Sequence, residues 1–253
     1  MVIKRENSLV KSAGVNQTSL DAIRGTSKTL GEAAYRALRR HIVSGKLSAG
    51  QKLQFRKLVQ QYGFGIAPLR EALSKLASER LVLFQGQRGY AVAPLSRLDL
   101  HEICNLWSEL SASSLRLSIE MGDVEWEARV MTSAHKLSSA PLPTSSEDEE
   151  GVERWELLHA EFHMSLVAGC NSPWREHFCA VLCDQFERYR RLLLLKMSIS
   201  PSTADEMDRE HRLIAEAAIR RDSNQAVKLL VMHFKHSLNQ VDAIYQGSLR
   251  ADY

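Results

Sequence analysis

From residue 30 onward the chain's apolar positions recur at helical spacing, and the pattern changes only once, to short alternating runs, before returning to helix. Residues 30–44 repeat Ala34, Leu38 and Ile42 on one face, and Gly45 supplies a stop. Residues 53–62 predict a short second helix, broken by Gly63 and Gly65. A third helix is predicted over 67–79, with Leu69, Leu73 and Leu76 as its buried stripe and Ala67, Arg70, Ser74 and Ser78 opposite. Residues 81–85 and 89–93 read as two strands around a Gly-Gln-Arg-Gly turn. Three helices followed by a two-stranded ribbon is the order of a winged helix-turn-helix. This domain is expected over residues 29–93, after a polar, mildly basic and flexible arm at 1–28.

Pro94-Leu95-Ser96 reads as a linker, and no strand signal follows it. Helices are predicted near 97–121, 124–138, 152–169, 173–199, 203–221 and 223–245. Ser96 with Asp99 forms a capping signal, Gly122-Asp123 separates the first two helices, and Asn171-Ser172-Pro173 places a cap before a first-turn proline. Asp222-Ser223-Asn224 caps the last helix. Pro141, Pro143 and the acidic run 147–150 predict a solvated loop. The expected fold is therefore mainly α: an N-terminal winged helix-turn-helix with a small β wing, then an all-α bundle over 97–247 and a tail at 248–253.

Charge sharpens this division. Residues 1–95 hold 16 Lys and Arg against 5 Asp and Glu, a net of +11, and residues 96–253 hold 17 against 25, a net of −8. Only the first third is suited to face a polyanion. No apolar run approaches the ~20 residues that cross a bilayer, and the N-terminus lacks the apolar core of a signal peptide, so no membrane partner is expected. Cys104, Cys170, Cys179 and Cys183 contain no C-x-x-C pair and read as reduced core thiols, consistent with a cytoplasmic protein.

In a winged helix the N-terminal end of the third helix enters the DNA major groove. Arg70, beside Ala67 and Pro68, is then placed to reach a base edge. Arg56 opens the second helix and can meet a phosphate or a base, while Gln87, Arg88 and Gly89 form the wing tip. Lys52 and Lys57 are candidates for phosphate contacts, which hold register without reading sequence. The segment resembles the DNA-binding domain of the GntR superfamily of bacterial transcription regulators. The resemblance rests on Gly45-Lys46-Leu47, Gly50, Leu53, Arg56, Leu58, Gly63, Pro68-Leu69-Arg70-Glu71-Ala72-Leu73, Leu76, Leu81-Val82, Arg88-Gly89-Tyr90 and Val92. That family usually places Val-Ser-Arg or Val-Thr-Arg ahead of the recognition helix. Here Phe64-Gly65-Ile66 stands there, and Ile66 can touch a thymine methyl but cannot donate to guanine.

Four of the nine histidines form a second pattern. His159 and His163 share a helical face beside Leu158, Phe162 and Leu166. His211 lies 11 residues before Asp222 and His233 lies 11 after it, so a hairpin turning at Asp222 sets both at one depth. Helical bundles build metal sites from facing side chains in this way. Packed core histidines in a metal-free dimerisation bundle remain an open alternative.

The region also resembles the FCD effector domain of FadR-like regulators. His159-Ala160-Glu161-Phe162-His163, Gly169-Cys170-Asn171, His211-Arg212-Leu213-Ile214, Arg221-Asp222 and His233 carry the resemblance. It implies a divalent metal on His163, His211 and His233, with His159 where the family usually has an aspartate ligand. It also implies a small organic acid as effector. Trp107 stands where an arginine often meets that acid. Four imidazoles suit Zn or Ni better than Mg or Mn. Asn171, Arg116, Arg188 and Arg212 are the candidate effector-binding residues.

The combined expectation is a homodimeric regulator on a palindromic operator, with repression and activation both open. A metal-dependent hydrolase is the remote alternative. It lacks a nucleophile elbow, a phosphate loop or a paired carboxylate, and Glu161 is expected to point off the histidine face.

Overall fold

Lys52–Leu53 pairs as a third strand with the ribbon, which the apolar pattern alone did not predict. The structure, a computed structural model, describes residues 23, 27–140, 142, 148–196 and 201–249. Most of the predicted N-terminal arm, most of the loop before residue 148 and the last four residues of the predicted tail lie outside this set. The described residues form two units. One holds residues up to His41 with Gly50–Ala93, and the other holds Ile42–Ala49 with residues from Pro94 onward.

The first unit contains α1 (Leu30–Val43), β1 (Lys52–Leu53), α2 (Phe55–Tyr62), α3 (Ile66–Ser78), β2 (Val82–Phe84) and β3 (Tyr90–Val92). The sheet order is β1-β3-β2, antiparallel throughout, with Leu53 opposite Tyr90 and Phe84 opposite Tyr90 on the other side. The second helix begins at Phe55 rather than residue 53 because β3 recruits the two preceding residues as an edge strand. Gly63 ends α2 in the left-handed region at φ 66°, donating to the Val59 carbonyl. Leu38, Leu58, Leu69, Leu73 and Leu76 form the core, and the His41 ring and Tyr62 hydroxyl share a buried hydrogen bond of 2.6 Å.

The second unit is helical among the described residues: α4 (Arg97–Met121), α5 (Val124–Ser138), α6 (Glu149–Val167), α7 (Pro173–Lys196), α8 (Pro201–Ile219) and α9 (Ser223–Leu249). A 3-10 turn, Ala168–Cys170, extends α6. The expected caps are in place: Ser96 Oγ accepts from the Asp99 amide at 3.2 Å, and Asp222 Oδ1 from that of Gln225 at 3.0 Å. Helix α6 starts inside the acidic run, where the Asp148 side chain accepts from the Gly151 amide at 2.9 Å. Acidic residues suit a helix N-terminus, so the predicted loop is shorter than expected.

Helix α4 packs along α7 and α9, and its buried Ser111, Ser114 and Ser118 allow close approach. Trp107, Trp126, Phe162, Phe186, Ile214, Leu230 and Phe234 fill the centre. Trp126 is fully buried and donates its indole N–H to the Ser165 carbonyl at 3.0 Å. A Cβ at Gly169 would fall 2.9 Å from that immobile ring. Gly169→Ala is expected to cost about 1–3 kcal/mol of unfolding free energy, read as a lower urea midpoint. Arg221 takes φ 60° at the α8–α9 turn, where its guanidinium reaches Glu127 and the Ile119 and Gly122 carbonyls. That turn brings His211 and His233 side by side.

Candidate metal centre and nucleic-acid interface

The four histidines singled out by spacing converge. His159 and His163 come from α6, His211 from α8 and His233 from α9, and one ring nitrogen from each lies within 4.8 Å of the others. Ring centroids are 4.4 Å apart for His159 and His163 and 4.6 Å for His211 and His233. All four side chains are buried. The hairpin that turns at Asp222 therefore sets His211 and His233 at one depth. Trp107 packs its ring against His163 at 5.3 Å and Phe234 at 4.5 Å, so the position is an apolar wall.

Hydrogen bonds give the rings different characters. His233 Nδ1 lies 2.9 Å from Glu210 Oε2, and His236 Nδ1 lies 2.5 Å from Glu210 Oε1. Burial works against the Glu210 carboxylate, but the hydrogen bonds and charges of His233 and His236 together hold it below the usual carboxylate range. With Nδ1–H directed at a carboxylate, His233 keeps Nε2 free as an acceptor. His211 Nε2 is buried and has no hydrogen-bond partner. His163 Nε2 and His159 Nε2 face each other at 3.2 Å. Arg190 reaches His159 Nδ1 at 2.8 Å, and Trp155 stacks on the His159 ring at 4.7 Å.

Burial is the first cause that holds His159, His163 and His211 well below the ordinary histidine range. Neighbouring positive character adds to it, from Arg190 at His159 and from His233 at the other two. Converging buried imidazoles, one with an unpartnered ring nitrogen, form a donor set of the kind that can hold a divalent metal ion. Tetrahedral bonds of ~2.0–2.1 Å put donors about 3.4 Å apart, so even nitrogens at the 4.8 Å limit need each move by less than an ångström.

The effector candidates do not converge in the same way. Arg116 is exposed and reaches Ser223 and Asn224, and Arg212 is exposed and pairs with Asp208 at 3.0 Å. Asn171 is exposed and left-handed at φ 50°, ending the 3-10 turn. Arg188 is buried and bonds Gln185 at 3.0 Å. Arg190, Trp155 and Glu210 were not singled out from the sequence. The available signal was the pair Arg190-Arg191 in an otherwise apolar stretch of α7. Arg191 is neutralised by Glu156 at 2.6 Å, both buried. A cavity of about 190 Å³ has Trp155 and His211 in its wall, with Asp205, Asp208 and Met207. Glu161 is exposed and pairs with Lys136 at 2.8 Å, away from the rings as expected.

On the first unit, Arg56, Lys57, Lys52, Ala67, Arg70, Gln87 and Arg88 are all exposed, and Pro68 is half-buried in the first turn of α3. The Arg70 guanidinium stands 6.0 Å from the Phe55 ring, which meets Tyr90 edge-on at 6.2 Å. These contacts tie α3, α2 and the wing together. Gly89 sits at φ 78°, ψ −140°, a conformation that suits glycine. Ile66 is 55% exposed at the helix start.

A winged helix with an exposed cationic reading face, followed by an all-α domain, defines a DNA-binding regulator. Residues 30–92 match the family model described as "Bacterial regulatory proteins, gntR family", and residues 102–236 match the FCD domain. The chain belongs to the gntR family and carries an FCD domain.

It is 36% identical over 214 residues to the "Uncharacterized HTH-type transcriptional regulator BphR" of Paraburkholderia xenovorans (strain LB400), covering 85% of this chain and 86% of that protein. It is 35% identical over 199 residues to the "HTH-type transcriptional repressor GlaR" of Escherichia coli (strain K12), covering 79% and 90%. The solved structure of E. coli McbR/YncC superposes with a TM-score of 0.72 at 20% identity, covering 87% of this chain and all of that one, and shows the shared fold. The protein is a DNA-binding transcription regulator rather than an enzyme. No helix among the described residues is long and apolar enough to cross a membrane.

Proposed function

We propose that the protein is a metal-dependent repressor whose helical domain holds Zn or Ni and takes a small carboxylate-type effector, which alters operator binding by a cytoplasmic homodimer. One observation carries the metal reading: four buried imidazoles converge, and His211 Nε2 has no partner. His163, His211 and His233 are the ligands, with His159 beside them. A dication held by neutral imidazoles keeps its full charge, and buried Arg190 adds another, so an anionic effector is the natural complement. Of the effector candidates, Arg116 and Arg212 stand on the surface, paired with Ser223 and Asp208. The repressing sense follows GlaR, a transcriptional repressor 35% identical to this chain. Effector binding at one site and DNA at the other would be coupled by ~1–3 kcal/mol in the usual range.

Arg70 and Ile66 are assigned to base contact, Lys52, Arg56 and Lys57 to the backbone, and Gln87 and Arg88 to the groove beside the wing. A dimer implies two half-sites related by a two-fold axis. In mobility shifts on the DNA upstream of its own gene, Arg70→Ala should lose about 5–150-fold in specific affinity. Lys57→Ala should weaken all sequences alike and lower the salt slope by about 1. Unchanged binding by Arg70→Ala would overturn the interface. Full-length protein purified without a polyhistidine tag should carry about one metal per chain. Metal-free protein, unmoved by chelator, would leave the bundle as a dimerisation module.

A further inference from the structure

His159 differs from the other three rings in what stands behind it. Arginine offers only donors, so the Arg190 bond at 2.8 Å makes His159 Nδ1 an acceptor. A neutral ring then carries its proton on Nε2, the nitrogen facing the cluster, and a protonated nitrogen has no lone pair for a metal. His233 has the opposite arrangement, because the Glu210 carboxylate takes its Nδ1–H and leaves Nε2 as a donor of electrons.

A flip of His159 would turn a carbon toward Arg190. That guanidinium is buried, and its Nε already lacks a partner. Its remaining bond is to Glu187 at 3.3 Å. Trp155 fixes the plane, stacking on the His159 ring at 4.7 Å and lying 5.4 Å from the Arg190 guanidinium carbon.

We infer that His159 is not a fourth ligand but a hydrogen-bond donor to the effector: its Nε2–H is aimed, by Arg190, into the space shared by the donor nitrogens of His163, His211 and His233. There it recognises the anionic oxygen of a carboxylate at the position those three leave open. Arg190 is the positioning residue. The inference rests on the metal reading above and names which of the four rings is set apart for the anion.

X-ray absorption on the zinc-loaded, full-length protein counts imidazoles directly. Three are expected in the wild type and three in His159→Phe; four in the wild type, falling to three in the variant, would overturn the inference. Arg190→Met frees Nδ1 to carry the proton, so its count should rise to four, in protein shown by circular dichroism to be folded. A count of three there would remove Arg190 from its role.

Acetate titrated into the cobalt-loaded protein, followed by visible absorption, should bind His159→Phe about tenfold more weakly, the worth of one charge-assisted hydrogen bond. Cobalt affinity itself should move less than that. Equal acetate affinity in both proteins would refute the donor role. Wild-type protein that takes up neither zinc nor cobalt would instead refute the metal reading, a separate failure.

Discussion

Zinc or nickel affinity should fall by more than about 100-fold when His233 is replaced by phenylalanine, because outer residues already command about 10–100-fold at metal sites and a ligand commands more. Glu210→Gln should fall in that lower range: it leaves the ring in place but removes the carboxylate that holds Nδ1–H, 2.9 Å away. His211→Phe should match His233→Phe, since its Nε2 is the orphaned atom of the cluster. Stability follows binding. A ligand present at 100 times its dissociation constant adds about 2.7 kcal/mol, which for a domain of this size is about 5–10 °C in melting temperature. Wild-type protein should gain that shift on zinc addition and both phenylalanine variants should lose it. Isothermal titration and thermal melting read both quantities, and a His233→Phe protein with wild-type metal affinity would disprove the assignment of ligands.

The extent to which this site was legible in the sequence depends on how local each cause is. The α6 pair needs only helical spacing, and the His211–His233 pair needs only a turn at Asp222. Both are short-range statements, and their rings meet as expected. Helix starts were legible at Ser96 and Asp222 because a cap is a contact between residues three apart. Strand β1 was not: its two residues have little preference of their own and are strands only because β3 offers an open edge.

Arg190 was missed for a related reason. Its role exists only once α6 and α7 lie together, bringing residues 31 apart in sequence to 2.8 Å. Arg116 and Arg212 illustrate the reverse case. Polar residues on bundle helices face outward by default, and these two do, binding Asn224 and Asp208 on the surface.

Acid should destabilise the metal-free protein well before its carboxylates titrate. His159, His163 and His211 are held below their ordinary value of 6.5, chiefly by burial. In the unfolded chain they take up protons near pH 6.5, while in the folded chain they stay neutral. The unfolded state thus binds more protons below that pH, so stability is full above it and declines as pH falls. Each such group costs about 1.4 kcal/mol in total across the two pH units centred on its unfolded value, so three cost about 4 kcal/mol between pH 7.5 and 5.5. That is a large share of the about 5–15 kcal/mol that keeps a domain folded. Melting temperature in chelator should drop by about 8–16 °C over this range, and His211→Phe should recover about a third of the loss because one titrating ring is gone. Protons and metal compete for the same nitrogens, so the loaded protein should release its ion in the same window. A melting temperature that stays flat from pH 7.5 to 5.5 would mean that the imidazoles are not held neutral in the core, and the donor set would lose its physical basis.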